Sequence, residues 1–205
     1  MKKKCNVRLL VTGDLHGDKK IANKLAEKAE KNGVDIVVIT GDLTIFDIDR
    51  KGMIGPFLEK CKKVLFVGGN HDSLQTIKDV ENEYKIPNLQ EYAVNTDDIG
   101  FFGCGGGNIG INYVSENDMF RAIKNGFRYV KDAKTKILVT HIHPKGSLIE
   151  KFSFPGSEAI TKAIYEFRPD IHVCGHIHEL EGAVEVMGTT KVMCVGSSGR
   201  IIDIG

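Results

Sequence analysis

No stretch of this 205-residue chain approaches the ~18 consecutive apolar residues that a membrane-spanning helix needs, so no membrane segment is expected. Lys2-Lys3-Lys4 could open a signal peptide, but Arg8 interrupts the apolar run behind it and Asp14 ends that run early. A solvated lead-in is the better reading. The five cysteines (Cys5, Cys61, Cys104, Cys174 and Cys194) are odd in number and have no C-x-x-C spacing, which fits a reducing cytoplasm. A bias of charge is missing too. A formal net charge of +1 supplies no field for gathering nucleic acid or binding a membrane surface, so bulk charge identifies no partner. No internal repeat, low-complexity tract or Pro-, Gly- or Ser-rich linker divides the chain, and one domain over residues 1–205 is expected.

What is present is an alternation of strand-like and helix-like patterns. Apolar, β-branched runs at 7–12, 36–40, 64–67, 99–102, 137–140 and 171–174 predict buried strands. Between the first two, Asp18 is expected to cap a helix with Ile21, Ala22, Leu25, Ala26 and Ala29 along its apolar face and Gly33 as its stop. Its Lys and Glu residues fall opposite, as on an ordinary solvated face. Further helices are predicted at 73–84, 116–130 and 157–167. The C-terminal stretch reads as a β-meander, with strands at 183–187, 191–195 and 201–204 joined by a Gly188-Thr189-Thr190 turn and a Gly-Ser turn. Parallel and antiparallel strands are thus expected together.

Five clusters of metal-type side chains follow strand-like runs: Asp14-Leu15-His16, Gly41-Asp42, Gly69-Asn70-His71-Asp72, Thr140-His141 and Gly175-His176-Ile177-His178. Alone, an Asp-x-His or Gly-Asp at a strand end is turn chemistry. Together they supply the oxygen and imidazole donors that hard divalent cations want, in the number, about seven, that a two-metal phosphate-ester hydrolase uses around an open, water-filled position. Gly13, Gly41, Gly69 and Gly175 are expected to turn the backbone sharply and send the next side chain into the crevice above the sheet. Loops at 44–56, 103–117 and 143–155 follow or neighbour donor-bearing strands and are expected to shape the substrate site.

The ordered set Asp-x-His, Gly-Asp, Gly-Asn-His-Asp, His and Gly-His-x-His, from Asp14 to His178, resembles the calcineurin-like metallophosphoesterase superfamily. The resemblance implies an α/β (α+β) fold, a four-layer αββα sandwich of two mixed sheets flanked by helices, with a dinuclear metal site at the strand carboxyl ends. It implies Asp14, His16 and His178 as ligands of one metal, Asp42 as the bridge, and Asn70, His141 and His176 as ligands of the other. It also implies a catalytic His71 that faces the phosphate and assists the leaving group, with Asp72 behind the ligands. In-line attack by a metal-bridging hydroxide is the implied mechanism. Two divalent ions are the implied cofactors, with Mn²⁺ expected and Fe, Zn, Ni or Co also accepted by such donors.

Protein phosphatases in that superfamily extend the second motif as Gly-Asp-x-x-Asp-Arg-Gly and end the third with Glu. Here Ile45 and Phe46 replace the Asp-Arg pair and Asp72 stands for the Glu, so the phosphate-binding arginine and the acid that pairs the catalytic histidine are missing. The small size resembles the compact bacterial and archaeal branch, which acts on phosphodiesters such as aryl diesters or 2′,3′-cyclic nucleotides. A small-molecule or nucleotide phosphodiester is the expected substrate. A monoesterase or nuclease on the same centre is the alternative, and a non-catalytic scaffold is the remote one.

Four features outside the set take plainer readings. His172 is expected to be a core histidine. His143 faces either substrate or merely its own loop. Gly105 to Gly110 matches G-x-G-x-x-G, but no helix opens at Tyr113 and a flexible loop beside the site is expected instead of a dinucleotide fingerprint. Cys104 is read as a buried, inert thiol.

Overall fold

A computed structural model describes residues 6–61, 63–90, 92–152 and 154–205. Lys2-Lys3-Lys4 and Cys5 lie outside the described residues. The first βαβ unit forms as its pattern requires. Strand β1 (Val7–Thr12) leads to helix α1 (Lys19–Lys31), and β2 (Ile36–Ile39) returns parallel to β1. The Asp18 carboxylate caps α1 by accepting hydrogen bonds from the Lys20 and Ile21 N–H groups at 2.8 and 3.1 Å. Beyond the last turn Gly33 takes a φ of +61°, which only glycine adopts without strain.

Further along come α2 (Gly55–Lys60), β3 (Lys63–Phe66), α3 (Leu74–Tyr84), β4 (Val94–Thr96), β5 (Ile99–Cys104) and α4 (Glu116–Val130). The remaining elements are β6 (Thr135–Thr140), α5 (Leu148–Lys151), α6 (Glu158–Phe167), β7 (Ile171–Cys174), β8 (Val184–Met187), β9 (Thr190–Cys194) and β10 (Arg200–Ile204). Ser73, Ser115 and Ser157 each cap the helix that follows with a side-chain oxygen. The short α2, α5 and β4 have no counterpart in the sequence reading.

Two mixed sheets form, ordered β10-β1-β2-β3 and β4-β5-β6-β7-β9-β8. Side-chain parity explains how they stack. Leu9, Val11, Ile36, Val38, Leu65 and Val67 point at Phe101, Val139, Val173 and Met193 of the other sheet. Alternate residues Leu10, Val37, Ile39, Val64 and Phe66 meet Ala22, Leu25 and Ala26 of α1 with Ile77 and Val80 of α3. On the far side Phe102, Leu138, Cys174 and Val192 meet Met119 and Ile123 of α4 and Ile160 and Ile164 of α6. Strands buried on both faces read as continuous apolar runs, and the four-layer αββα sandwich is the result.

The expected meander is corrected. β8 and β9 form the antiparallel hairpin, but β10 crosses to the other sheet and pairs antiparallel with β1, Val7 opposite Ile204 and Val11 opposite Arg200. The reason is edge availability. β9 already has β8 on one side and β7, in parallel, on the other, whereas β1 without β10 would be an unpaired edge. Among the described residues no helix is long and apolar enough to cross a membrane.

Candidate metal centre

The donor clusters leave the carboxyl ends of β1, β2 and β3 in one sheet and of β6 and β7 in the other, so the crevice between the sheet ends gathers them. Left-handed backbone appears at the donors themselves, with φ of +53° at Asp14, +46° at His16, +50° at Asp42 and +74° at His176. Such angles cost about 1–3 kcal/mol each and concentrate at functional sites. The expected role of the glycines is corrected accordingly. Of Gly13, Gly41, Gly69 and Gly175, only Gly41 has a positive φ, +106°. The main service of Gly69 is room: a Cβ there would lie 1.9 Å from Asp42 Oδ1.

Asp14, His16 and His178 each bring a donor atom within 4.8 Å of the others, and so do Asp42, His141 and His176. Asp42 Oδ2 lies between the two groups, 3.7 Å from His16 Nε2 and 3.4 Å from His141 Nε2. Asn70 Oδ1 joins the second group at 2.8 Å from His141 Nε2. His16 Nε2 and His178 Nε2 stand 3.2 Å apart, about the separation of two nitrogens that share one cation at ~2.0–2.1 Å each. Backbone bonds fix the carboxylates: Asp42 Oδ1 accepts the His71 N–H at 3.0 Å, and both Asp14 oxygens accept the His176 N–H at 3.1–3.2 Å.

The charge state of the protein alone shows what this site is built to hold. His141 Nδ1 faces the Thr40 carbonyl at 2.9 Å while Nε2 faces the oxygens of Asn70 and Asp42. Acceptors on both sides require hydrogens on both nitrogens. Burial opposes that charge, but the Asp42 carboxylate prevails and draws the His141 pKa up to about 9. Burial likewise works to raise Asp42, yet the charge and hydrogen bond of His141 and the His71 N–H hold it well below the carboxylate range. Burial pushes Asp14 up. Burial, with the charge of His141, pushes His176 down to about 3, a neutral imidazole. A cation between these atoms would take the place of the His141 Nε2 proton and keep Nδ1–H on the Thr40 carbonyl, the arrangement in which a histidine binds metal. The donors fit two hard or borderline divalent ions.

His71 is brought to the same crevice, its Nε2 4.0 Å from Asp42 Oδ2. Its buried Nδ1 has no hydrogen-bond partner among the described residues, in line with the missing acid. Phe46, at the position where the phosphatases carry arginine, tilts its ring against the His71 imidazole with centroids 4.3 Å apart. Asp72 is fully buried and bonds the backbone of Leu43, Thr44 and Gly69, so it ties together the loops that carry Asp42, Asn70 and His71.

The undecided His143 turns out to serve its loop. Its Nε2–H donates to the Phe154 carbonyl at 2.9 Å, and burial lowers its pKa, which keeps it neutral. His172 is fully buried with Nε2 2.7 Å from the Thr140 hydroxyl, and burial pushes the Cys104 thiol up to about 12. The glycine loop lies beside the site, as expected, but it is laced to the Asn70 turn. Gly106 N–H bonds the Gly68 carbonyl at 2.9 Å, Ile111 N–H the Asn70 carbonyl at 3.0 Å, and Asn112 Nδ2 the Gly69 carbonyl at 3.0 Å.

A cleft of about 910 Å³ opens over the donors, lined by His16, Asp42, His71, His176 and His178 and, around the mouth, by Ile45, Phe152, Phe154, Ile177 and Glu179. Phe152, Phe154 and Glu179 were not singled out from sequence, although the expected substrate loop at 143–155 carries the two phenylalanines. Their only signal was a pair of phenylalanines ahead of Pro155 in a polar loop.

The fold has known counterparts. It is similar to the crystal structure of the protein TT1561 from Thermus thermophilus, with a TM-score of 0.76 at 19% identity over 95% of this chain and 91% of that one. It is also similar to a phosphopantetheinyl hydrolase from Mycobacterium tuberculosis (TM-score 0.62, 12% identity, 95% and 91% covered). An archaeal phosphodiesterase is a third counterpart (TM-score 0.55, 15% identity, 97% and 100% covered). At such identities the likeness concerns the fold. No curated protein matches the sequence. The model of the calcineurin-like phosphoesterases matches residues 7–180, a span that holds all five donor clusters and most of both sheets, and the chain belongs to that family.

Proposed function

We propose that this chain is a dinuclear metal-dependent phosphodiesterase. Asp14, His16 and His178 would hold one ion and Asn70, His141 and His176 the other, with Asp42 placed between the two groups to serve both. Mn²⁺ is the expected ion, with Fe, Zn, Ni or Co as alternatives. Bound there, the cations acidify water towards neutral pH and screen the phosphoryl oxygens. His71 Nε2, on the cleft side of Asp42, delivers a proton to the ester oxygen as the phosphorus–oxygen bond breaks. Asp72 keeps the loops of Asp42 and His71 in register. The unpaired, buried cysteines among the described residues support a cytoplasmic setting.

The observation that carries the diester preference is the charge of the cleft wall. Among the described residues it is lined by no lysine or arginine, and Glu179 adds a negative group. A monoester dianion would gain no side-chain cation there, whereas a diester carries a single charge. Turnover of bis(para-nitrophenyl) phosphate and para-nitrophenyl phosphate with added Mn²⁺ is the test. The diester is expected to show the higher kcat/KM and Asp42→Ala to abolish it; a preference for the monoester would contradict the proposal.

A further inference from the structure

We propose that Phe46 is the positioning residue of His71, its ring pressed against the imidazole so that Nε2 stays aimed at the ester oxygen. This role presupposes His71 as the proton donor of the phosphodiesterase reading above. A proton donor must keep its direction, and a misplacement of about 1 Å can cost about 10² in rate. In His71 no hydrogen bond supplies that direction. Nδ1 is buried without a partner among the described residues, and Nε2 lies 4.0 Å from Asp42 Oδ2, beyond hydrogen-bond reach. Rotation about the bond to a histidine ring is soft, so packing has to orient it. Two rings among the described residues pack on it: that of His16, edge-on with centroids 5.1 Å apart, and that of Phe46 at 4.3 Å. His16 is a donor of the metal centre, which leaves Phe46 as the neighbour with no other service at the site.

The backbone at Phe46 is strained in support of that contact. Phe46, Asp47 and Asp49 take φ of +48°, +67° and +59°, and a bulky side chain in the left-handed region is an outlier that only its surroundings can maintain. Those surroundings are specific. The Thr44 hydroxyl accepts the Asp47 N–H at 3.1 Å, Asp47 Oδ1 accepts the Ser73 N–H at 2.9 Å, and the Ile48 N–H bonds the Ile45 carbonyl at 3.0 Å. Thr44 is in turn held by Asp72, so the turn that presents Phe46 and the loop that carries His71 share one anchor. Burial does not account for the arrangement, because Phe46 remains 52% exposed and a ring half in water adds little to the core. The contact with His71 is what the strained turn delivers.

Methyl phenyl phosphate and methyl para-nitrophenyl phosphate, which differ only in the leaving group, test this role with added Mn²⁺. Phe46→Leu keeps apolar bulk and removes the ring. It is expected to lower kcat for the phenyl ester by about tenfold or more and for the para-nitrophenyl ester by less than about threefold, with KM and metal content at wild-type values. Phe46→Tyr is expected to restore the rate on the phenyl ester. In a His71→Ala background Phe46→Leu is expected to have no further effect, since the two residues act as one unit. An equal loss for both esters, the same loss with and without His71, wild-type kinetics, or a fall in metal content overturns the positioning role. The two roles are separable: wild-type kinetics in Phe46→Leu beside a leaving-group-dependent loss in His71→Ala removes Phe46 alone, whereas a His71→Ala loss equal for both esters removes the proton donor on which it rests. Should neither diester turn over, phenyl phosphate and para-nitrophenyl phosphate decide the role by the same comparison, because the leaving oxygens are the same.

Discussion

Asp72 and Thr44 are joined twice: Asp72 Oδ1 accepts the Thr44 N–H at 2.9 Å and the Thr44 hydroxyl at 2.8 Å. Asp72 Oδ2 accepts the N–H groups of Leu43 at 3.1 Å and Gly69 at 2.9 Å. One buried carboxylate therefore sews the loop after β2 to the loop after β3, and the position of Asp42 relative to Asn70 and His71 depends on it. Burial, with the nearby charge of Asp42, pushes this carboxyl above its usual range, and the hydrogen bonds from Gly69, the Thr44 hydroxyl and Leu43 work against that push.

Asp72→Asn is expected to destabilise the protein by about 2–4 kcal/mol, since an amide turns N–H groups towards donors that need an acceptor. Thermal unfolding reads the stability, and elemental analysis is expected to find less than the wild-type metal content. A variant that unfolds like wild type with full metal content would separate Asp72 from the site.

The donor clusters were legible in sequence because each is local: a strand end and its donor lie within a few residues, and only their convergence is tertiary. Asp42 and His141 are far apart in the chain and follow strands of different sheets, so their meeting in one crevice was legible only through the family resemblance. The course of β10 was not legible, because the free edge of β1 and the occupied edges of β9 are properties of the assembled sheets. Gly69 was noticed for the wrong reason. Conformational freedom is visible in a sequence, whereas a carboxylate packed against an α-carbon is not. The same holds for Phe152 and Phe154, whose facing depends on how His143 and Asn108 pin a long loop.

His71→Ala is expected to keep its cations and to slow diester cleavage by about 10²–10⁴, with more loss for poor leaving groups than for good ones. The bond that fixes Asp42 Oδ1 comes from the His71 backbone N–H, which alanine retains. Metal content and a leaving-group series check both halves, and loss of metal would refute the assignment of His71 to the substrate side.

Gly69→Ala is expected to lower metal content more than its small size suggests. Its Cβ would meet Asp42 Oδ1 at 1.9 Å and the Asp42 amide nitrogen at 2.3 Å, so the carboxylate must move. Overpacking of this kind costs about 1–3 kcal/mol, and here the displaced atom belongs to the residue between the two donor groups. Elemental analysis and activity at saturating Mn²⁺ are expected to fall together. Retention of both would show that Asp42 tolerates displacement.

His172 offers a test that is independent of the cations. Burial pushes its pKa down to about 3 from the ordinary 6.5, and His143 adds repulsion once acid protonates it. The groups in contact with it are the Thr140 hydroxyl, at 2.7 Å from Nε2, and the apolar neighbours of β6, β7 and β9. The folded chain thus keeps His172 neutral where the unfolded chain protonates it, so its contribution is complete above about pH 6.5 and is lost as pH falls from there towards 3. The slope is about 1.4 kcal/mol per pH unit for one proton. Denaturant unfolding of His172→Leu between pH 7 and pH 4 is expected to show a shallower loss of stability than wild type, by about one proton. Leucine fills the buried volume and leaves Thr140 its bond to the Ile142 carbonyl at 2.7 Å, so parallel pH profiles for the two proteins would mean that His172 does not stay neutral in the fold.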